Sequence, residues 1–424
     1  MALYNKLIQI WKARDLRNNL LFVLAMLVIF RFAAHIPVPG VDTSALQDFF
    51  GKNQVLGLLN MFSGGSMENF SIVMMGIAPY ITASIIFQLL GMIVPALEEM
   101  QKEESGRQKI NMWTRWLTVP MAAMQSFGMI TLLQRSSTGI LGEINIFEFV
   151  SIIIIITTGT VFLMWIGELI TERKVGNGIS LLIFAGIIAG LPGAVQQIIA
   201  GYNPQDLMTI IGFIAIALIT IIGVVIITEG QRNIPVQYAK QIRGNRMYGG
   251  TTSHLPLRVN MAGVIPIIFA ISVVLFPPMI AQFFVGAKTA WIASSATWVI
   301  AFFENQLAYG VMYFLLVFAF TYFYTEVVFH PDQIAENLQK QGGFIPGIRP
   351  GRHTAEYLAN TTHKIIFVGA MFLGIIAVLP LIMRYFTGMQ SLAIGGTSLL
   401  IVVAVVIETV KQIEAQLSMR EYEQ

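Results

Sequence analysis

Apolar residues run through this chain in long unbroken stretches rather than in stripes. Segments without Asp, Glu, Lys or Arg cover 69–97, 116–134, 149–167, 175–205, 207–228, 259–287, 305–325, 365–383 and 385–407. Each is at least 19 residues long and is dominated by Ile, Leu, Val, Phe, Met, Ala and Gly. A tenth stretch, 19–37, is interrupted only by Arg31. A hydrocarbon core about 30 Å thick needs about 20 apolar residues of helix. The pattern therefore predicts ten transmembrane helices. The run 289–303 is only 15 residues long and is expected to be an external loop or a re-entrant piece. A soluble helix would carry one apolar stripe. A barrel strand would alternate. Backbone groups in lipid are satisfied only by helices or closed barrels, so the fold class is all-α polytopic membrane protein.

The start of the chain differs. Tyr4, Leu7, Ile8 and Trp11 fall at helical spacing beside Lys6, Lys12, Arg14 and Arg17. Such a segment suits a short helix on the membrane surface, with a solvated, frayed terminus as the alternative. No small-residue cleavage site follows the first apolar run, so a cleavable signal is not expected.

Composition agrees and excludes other classes. Only 12% of the 424 residues are charged, against about 25% in soluble domains. Cysteine is absent, which excludes a disulfide scaffold, a thiol nucleophile and an iron–sulfur site. With ten spans both termini share a side. The connections 1–18, 98–115, 168–174, 229–258, 326–364 and 408–424 hold 21 of the 26 Lys and Arg. The opposite connections hold four: Lys52, Arg135, Lys288 and Arg384. The positive-inside rule places both termini in the cytoplasm.

Two cytoplasmic loops are longer than connectors need. Residues 231–258 carry Arg232, Lys240, Arg243, Arg246 and Arg258 and no acid. Residues 329–364 carry Gly342-Gly343 and then Gly347-Ile348-Arg349-Pro350-Gly351-Arg352. Charge alone suits anionic lipid and an acidic or nucleic-acid partner equally.

Catalytic patterns are missing. His35, His254, His330, His353 and His363 stand singly, without the spacing of a zinc-protease helix. There is no phosphate-binding Gly-rich motif with a following Lys, since Gly286-Ala287-Lys288-Thr289 lacks its second glycine, and no Gly-x-Ser-x-Gly elbow. No catalytic residue, cofactor or metal is assigned. Ion-coupled transporters carry charge at membrane depth. Here only Arg31 interrupts a span, near its external end, where it can snorkel. Sodium sites built of carbonyls escape that test, so an inverted-repeat solute transporter stays the rival reading, with an intramembrane enzyme third.

Glycine, proline and amides punctuate the spans. Ser63-Gly64-Gly65 precedes the second, which opens Gly76-Ile77-Ala78-Pro79-Tyr80. Gly176-Asn177-Gly178, Gly263 with Pro266, and Gly395-Gly396-Thr397 follow. Each suits ordinary close packing. Together they suit a bundle with a discontinuous, openable centre. Gln88, Gln125 and Asn260 add uncharged polar groups within spans.

At these residues the sequence resembles the SecY family, the channel subunits of the bacterial Sec translocase. The likeness is carried by Ile36-Pro37-Val38-Pro39-Gly40, Asn60-Met61-Phe62-Ser63-Gly64-Gly65 and Gly76 through Leu90. It continues through Glu104-Ser105-Gly106-Arg107, Ile170-Thr171-Glu172-Arg173, Gly176 through Ser180, His254-Leu255-Pro256-Leu257, Val259 through Pro266, Gly347 through Gly351 and Gly395 through Ile401. It covers about residues 20–412.

The resemblance implies two inverted five-helix halves, 1–200 and 201–424, around a central pore that opens sideways to lipid. It implies a plug at 60–71, including Asn60, Phe62, Ser63, Gly64, Gly65, Ser66 and Asn69. It maps a pore ring onto Ile77, Ile81, Ile179, Ile183, Ile268 and Ile401, and places Gln88, Gln125 and Asn260 on the lateral gate. Aliphatic rings shed water and block ions without binding any one side chain. The implied partners are SecE and SecG, the SecA motor ATPase, the translating ribosome, signal peptides and nascent polypeptides, and membrane lipid. Arg243, Arg246, Arg349 and Arg352 are the implied docking residues. The implied site is the bacterial cytoplasmic membrane.

Overall fold

In the computed structural model of the protein, described residues are 10–39, 46, 60, 63–135, 145–200, 207–238, 241–243, 246–248, 252–286, 289–387 and 395–421. Helices dominate, as the charge-free runs require. In chain order the first are α1 (Arg14–Ala33), α2 (Ala78–Ile93), α3 (Pro95–Lys102), α4 (Glu104–Arg135), α5 (Ile146–Glu172), α6 (Gly178–Ala200) and α7 (Leu207–Glu229). A β-rich stretch follows: β1 (Gln231–Tyr238), β2 (Gln241–Arg243), β3 (Arg246–Tyr248) and β4 (Thr252–Arg258). Then come α8 (Ile265–Phe284), α9 (Ala290–Glu304), α10 (Gln306–Val328), α11 (Pro331–Lys340), β5 (Gly343–Phe344), α12 (Arg352–Thr387) and α13 (Gly395–Glu421).

Each of the nine charge-free stretches, and the tenth stretch interrupted by Arg31, contains a helix. Among the described residues six helices are long and apolar enough to cross a membrane, or seven if the bent pair α2–α3 is one span. That pair turns by 111° at its break. The cause is Pro95, which starts α3 and excludes Val94 from helical geometry.

Three expectations need correction. The stretch 69–97 is not helical throughout: residues 63–77 form consecutive turns and the helix begins only at Ala78. The 289–303 run, expected as a loop or re-entrant piece, is the 15-residue helix α9, which follows the same apolar composition. The chain is also not purely helical, because the basic loop 231–258 and part of the loop 329–364 are strands. The surface stripe Tyr4, Leu7 and Ile8 lies outside the described residues, and Trp11 is exposed.

The chain divides into two compact units. One comprises residues 1–207, 271–309 and 405–424, the other 208–270 and 310–404. In the first, α4 packs between α2 and α5, and α5 packs on α6. Its core joins Met67, Phe70 and Met74 to Met129, Ile130 and Leu133 of α4 and Ile152 and Ile156 of α5. Gly159 of α5 faces the Ile72 carbonyl so closely that an added Cβ would overlap it. That contact fixes glycine there and seats the turn segment on α5.

In the second unit the two long loops make one folded piece. β1 pairs antiparallel with β4 (Ile234 opposite Leu255) on one edge. It pairs with β5 (Gln237 opposite Phe344) on the other. Ile234 and Val236 alternate inward across Pro235, the period of a half-buried strand. They pack with Leu257, with Leu338 of α11, with Ile345 and with Leu358 of α12. Leu358 is fully buried. Leu358→Ala should cost about 2–5 kcal/mol locally. The expected result is faster limited proteolysis within 231–258 and 329–351 with unchanged membrane insertion. Unchanged proteolysis would mean the sheet does not depend on this core.

Candidate functional site

The segment between α1 and α2 is built from small polar residues that bond to their own turns. The Gly65 N–H donates to the Asn60 carbonyl (2.8 Å). The Glu68 N–H donates to Asn60 Oδ1 (3.1 Å). Ser63 Oγ donates to the Asn60 carbonyl (2.9 Å). Ser66 Oγ donates to the Ser63 carbonyl (2.8 Å), with the Val73 carbonyl also within 3.2 Å. Ser66 is fully buried, and Asn69 is half-buried. Short polar side chains compete with helical hydrogen bonding, so the segment folds as a turn nest instead of extending α2. Phe62 lies outside the described residues.

Two ties hold this nest to the start of the chain. At its far end the Val38 N–H donates to the Phe70 carbonyl (2.8 Å), and the Ile72 N–H to the Ile36 carbonyl (3.0 Å). Phe70 sits there at φ 44, a costly backbone for a bulky residue, and is held by complete burial. At the near end Arg31 Nη1 donates to the Gly64 carbonyl at 2.6 Å. Gly64 has φ 74, and an added Cβ would stand 2.9 Å from Gly186 Cα of α6. Burial pushes the Glu68 carboxyl above its ordinary range.

The six isoleucines divide between the units. In the first, Ile77 precedes α2 and Ile81 lies one turn later; Ile179 and Ile183 stand one turn apart on α6. In the second, Ile268 lies in the first turn of α8 and Ile401 in α13. Ile77, Ile183 and Ile401 are buried, and the other three are half-buried. Ile179 packs against Gly167 of α5, which is the ordinary helix-packing role of such a residue.

The three amides differ in what they touch. Gln125 of α4 is buried, and its Nε2 donates to Thr82 Oγ1 of α2 at 3.4 Å, within the first unit. Gln88 donates to Ser84 Oγ of its own helix (3.0 Å). Asn260 donates to the Gly263 carbonyl (3.2 Å) in the second unit. Gln88 Oε1 and Asn260 Oδ1 are buried without a hydrogen-bond partner among the described residues. Arg115 and Glu168 join α4 to α5 by an ion pair of 2.6 Å.

Among the docking candidates, Arg243 and Arg246 face one another across the β2–β3 hairpin backbone. Their side chains lie outside the described ones. Arg349 is exposed, in a turn whose carbonyl accepts the Thr354 hydroxyl (3.0 Å). Arg352 opens α12 and pairs with Glu356 at 3.2 Å.

The sequence reading missed two things. It left Arg31 snorkelling, although Gly64-Gly65 offered a left-handed turn whose carbonyl could meet a cation. It also treated the two loops separately, although the alternation of Ile234 and Val236 around Pro235 marked a strand.

With this geometry in hand, comparison with known proteins is decisive. The SecY family profile matches residues 71–410. The chain belongs to the SecY family. The protein translocase subunit SecY of Halalkalibacterium halodurans is 44% identical over 431 residues, covering 99% of each chain. A solved SecY, described by its plug domain and closed translocation channel, has a TM-score of 0.63 at 20% identity. That match covers 93% of this chain and 91% of the other. Sec61 from a canine ribosome–channel complex has a TM-score of 0.60 at 18% identity with the same coverage. The two structures share the fold. A SecY-family chain with six or seven spanning-length helices among its described residues is a multi-pass membrane protein.

Proposed function

We propose that this chain is the protein-conducting channel of a Sec translocase. It passes unfolded secretory proteins across the membrane and releases transmembrane segments sideways into lipid. The observation that carries the reading is full-length likeness to a protein translocase subunit at 44% identity. The rival reading as an ion-coupled solute transporter has no support in the relatives, nor in charge at membrane depth. The chain is a conduit and not an enzyme, so the energy comes from partners.

Ten spans cross the membrane with both termini in the bacterial cytoplasm, supported by the ten helix-bearing stretches and the 21-to-4 split of basic residues. The halves 1–200 and 201–424 are an inverted pair by topology; compactness is a separate property. The 60–71 segment is the plug, a reading supported by its turn nest. Ile77, Ile81, Ile179, Ile183, Ile268 and Ile401 form the ring that gives way around any polypeptide. Gln88, Gln125 and Asn260 hold the lateral gate by weak polar contacts, worth about 0.6–2 kcal/mol each in a membrane. A signal helix outweighs these by burying apolar surface.

SecE and SecG complete the channel. SecA or a translating ribosome docks on the basic loops through Arg243, Arg246, Arg349 and Arg352. The canine Sec61 found within a ribosome–channel complex supports a ribosome as a partner. Reconstitution tests the whole reading. Vesicles holding the chain with SecE should, with SecA and ATP, protect a signal-bearing precursor from added protease. A precursor that stays digested, in vesicles that instead accumulate a small solute, would sink it.

A further inference from the structure

Arg31 is the one charged residue inside a charge-poor span, and its partner is unusual. Among the described residues it meets a backbone carbonyl, that of Gly64, and not a carboxylate. It lies in the last turn of α1, where a cation complements the helix C-terminus. His35 Nδ1 approaches the Arg31 carbonyl at 2.8 Å and orders the end of the helix. The side chain is half-buried, where charge-assisted bonds are strong.

The two ties of the 60–77 nest are unequal. Phe70 and Ile72 are clamped by backbone pairing to 36–38 and by a buried core. Among the described residues Gly64 is joined to α1 through one side-chain hydrogen bond, beside packing against Phe30. The bonds among Asn60, Ser63 and Glu68 travel with the nest, whereas Ser66 Oγ also reaches the Val73 carbonyl (3.2 Å) and Met67 packs in the same core as Phe70. The Gly64 end is therefore held more lightly than 66–72, and its displacement breaks the Arg31 contact first.

We propose that Arg31 is a positioning residue, a latch that keeps the front of the plug seated by donating to the Gly64 carbonyl. The inference rests on the plug reading of 60–71. A neutral acceptor suits a latch: the bond is strong enough to bias seating and single enough to be lost in one step. A hydrogen bond to a charged group shifts such an equilibrium by about tenfold or more.

Because the chain has no cysteine, one introduced thiol reports the motion. The probe is Ser63→Cys, buried beside Gly64, in the complex with SecE and SecG, in proteoliposomes, labelled from outside by a membrane-impermeant maleimide. Arg31→Gln should speed labelling about tenfold, and Arg31→Lys should fall between. A thiol placed by Ile156→Cys, in the same core, should stay unreactive in every variant. Unchanged labelling of the 63 position, or parallel exposure of the 156 position, would overturn the latch. Resting ion conductance separates the two readings. Leak on deleting 60–71, with labelling unmoved by Arg31→Gln, overturns the latch alone. Faster labelling with no leak in either variant overturns the plug reading, and the latch's function with it.

Discussion

Replacing Ile77, Ile81, Ile183 and Ile401 together by serine is expected to make the resting channel leak ions. Three of these side chains, Ile77, Ile183 and Ile401, are already buried, and Ile81 lies one turn beyond Ile77 on α2. An aliphatic constriction stays closed because water gains little by entering it. Serine offers each entering water a hydroxyl partner. Exposing one buried isoleucine costs about 1.5–3 kcal/mol that serine does not, and each 1.4 kcal/mol is about tenfold in a population. Conductance in planar bilayers should therefore rise well over about tenfold. The quadruple variant must still be extracted as a folded complex with SecE, since Ile179 and its neighbours also pack helix on helix. A folded variant with unchanged conductance would remove these positions from the seal.

The second large effect is expected at Arg349. It is exposed on the turn between β5 and α12, beside the folded sheet and not within it. Arg349→Glu reverses a charge where an acidic partner surface would dock. Loss of one member of a desolvated charge pair costs about 2–5 kcal/mol, so SecA-driven export should fall by about 30-fold or more. Because Arg349 takes no part in the core of Ile234, Val236 and Leu358, insertion and stability should be nearly unchanged. Equal loss of insertion and export would mark the effect as misfolding. Raising salt should weaken docking of the unaltered chain in the same direction, since exposed charges are screened.

Much of this protein is legible without coordinates, and the residues say why. Each charge-free run is long enough to cross a fixed slab of hydrocarbon, and each contains a helix. The 69–77 stretch misled because it opens a charge-free apolar run long enough for a span. The serines and glycines of 63–77 prefer turns, and only a partner surface decides between those outcomes. The β-strands misled for a different reason. A basic loop with Pro235 and Pro256 excludes helix, but two strands become visible only when paired. The isoleucine ring and the gate amides were reached through resemblance, because an isoleucine in a membrane helix looks the same whether it faces lipid, a neighbouring helix or a pore.

The amino-acid sequence by itself determined where the long apolar helices lie, which loops are basic, and that no charge but Arg31 interrupts the ten apolar stretches. Those are local quantities, set by composition within about 20 residues. The tertiary structure alone decided that Arg31 meets Gly64, 33 residues away. It alone joined Gln237 to Phe344 and fused two loops into one folded body. It alone pressed Gly159 against the Ile72 carbonyl. Each of these is a pairing between distant segments. Its energy exists only once the chain has brought both partners together, so no window of sequence contains it.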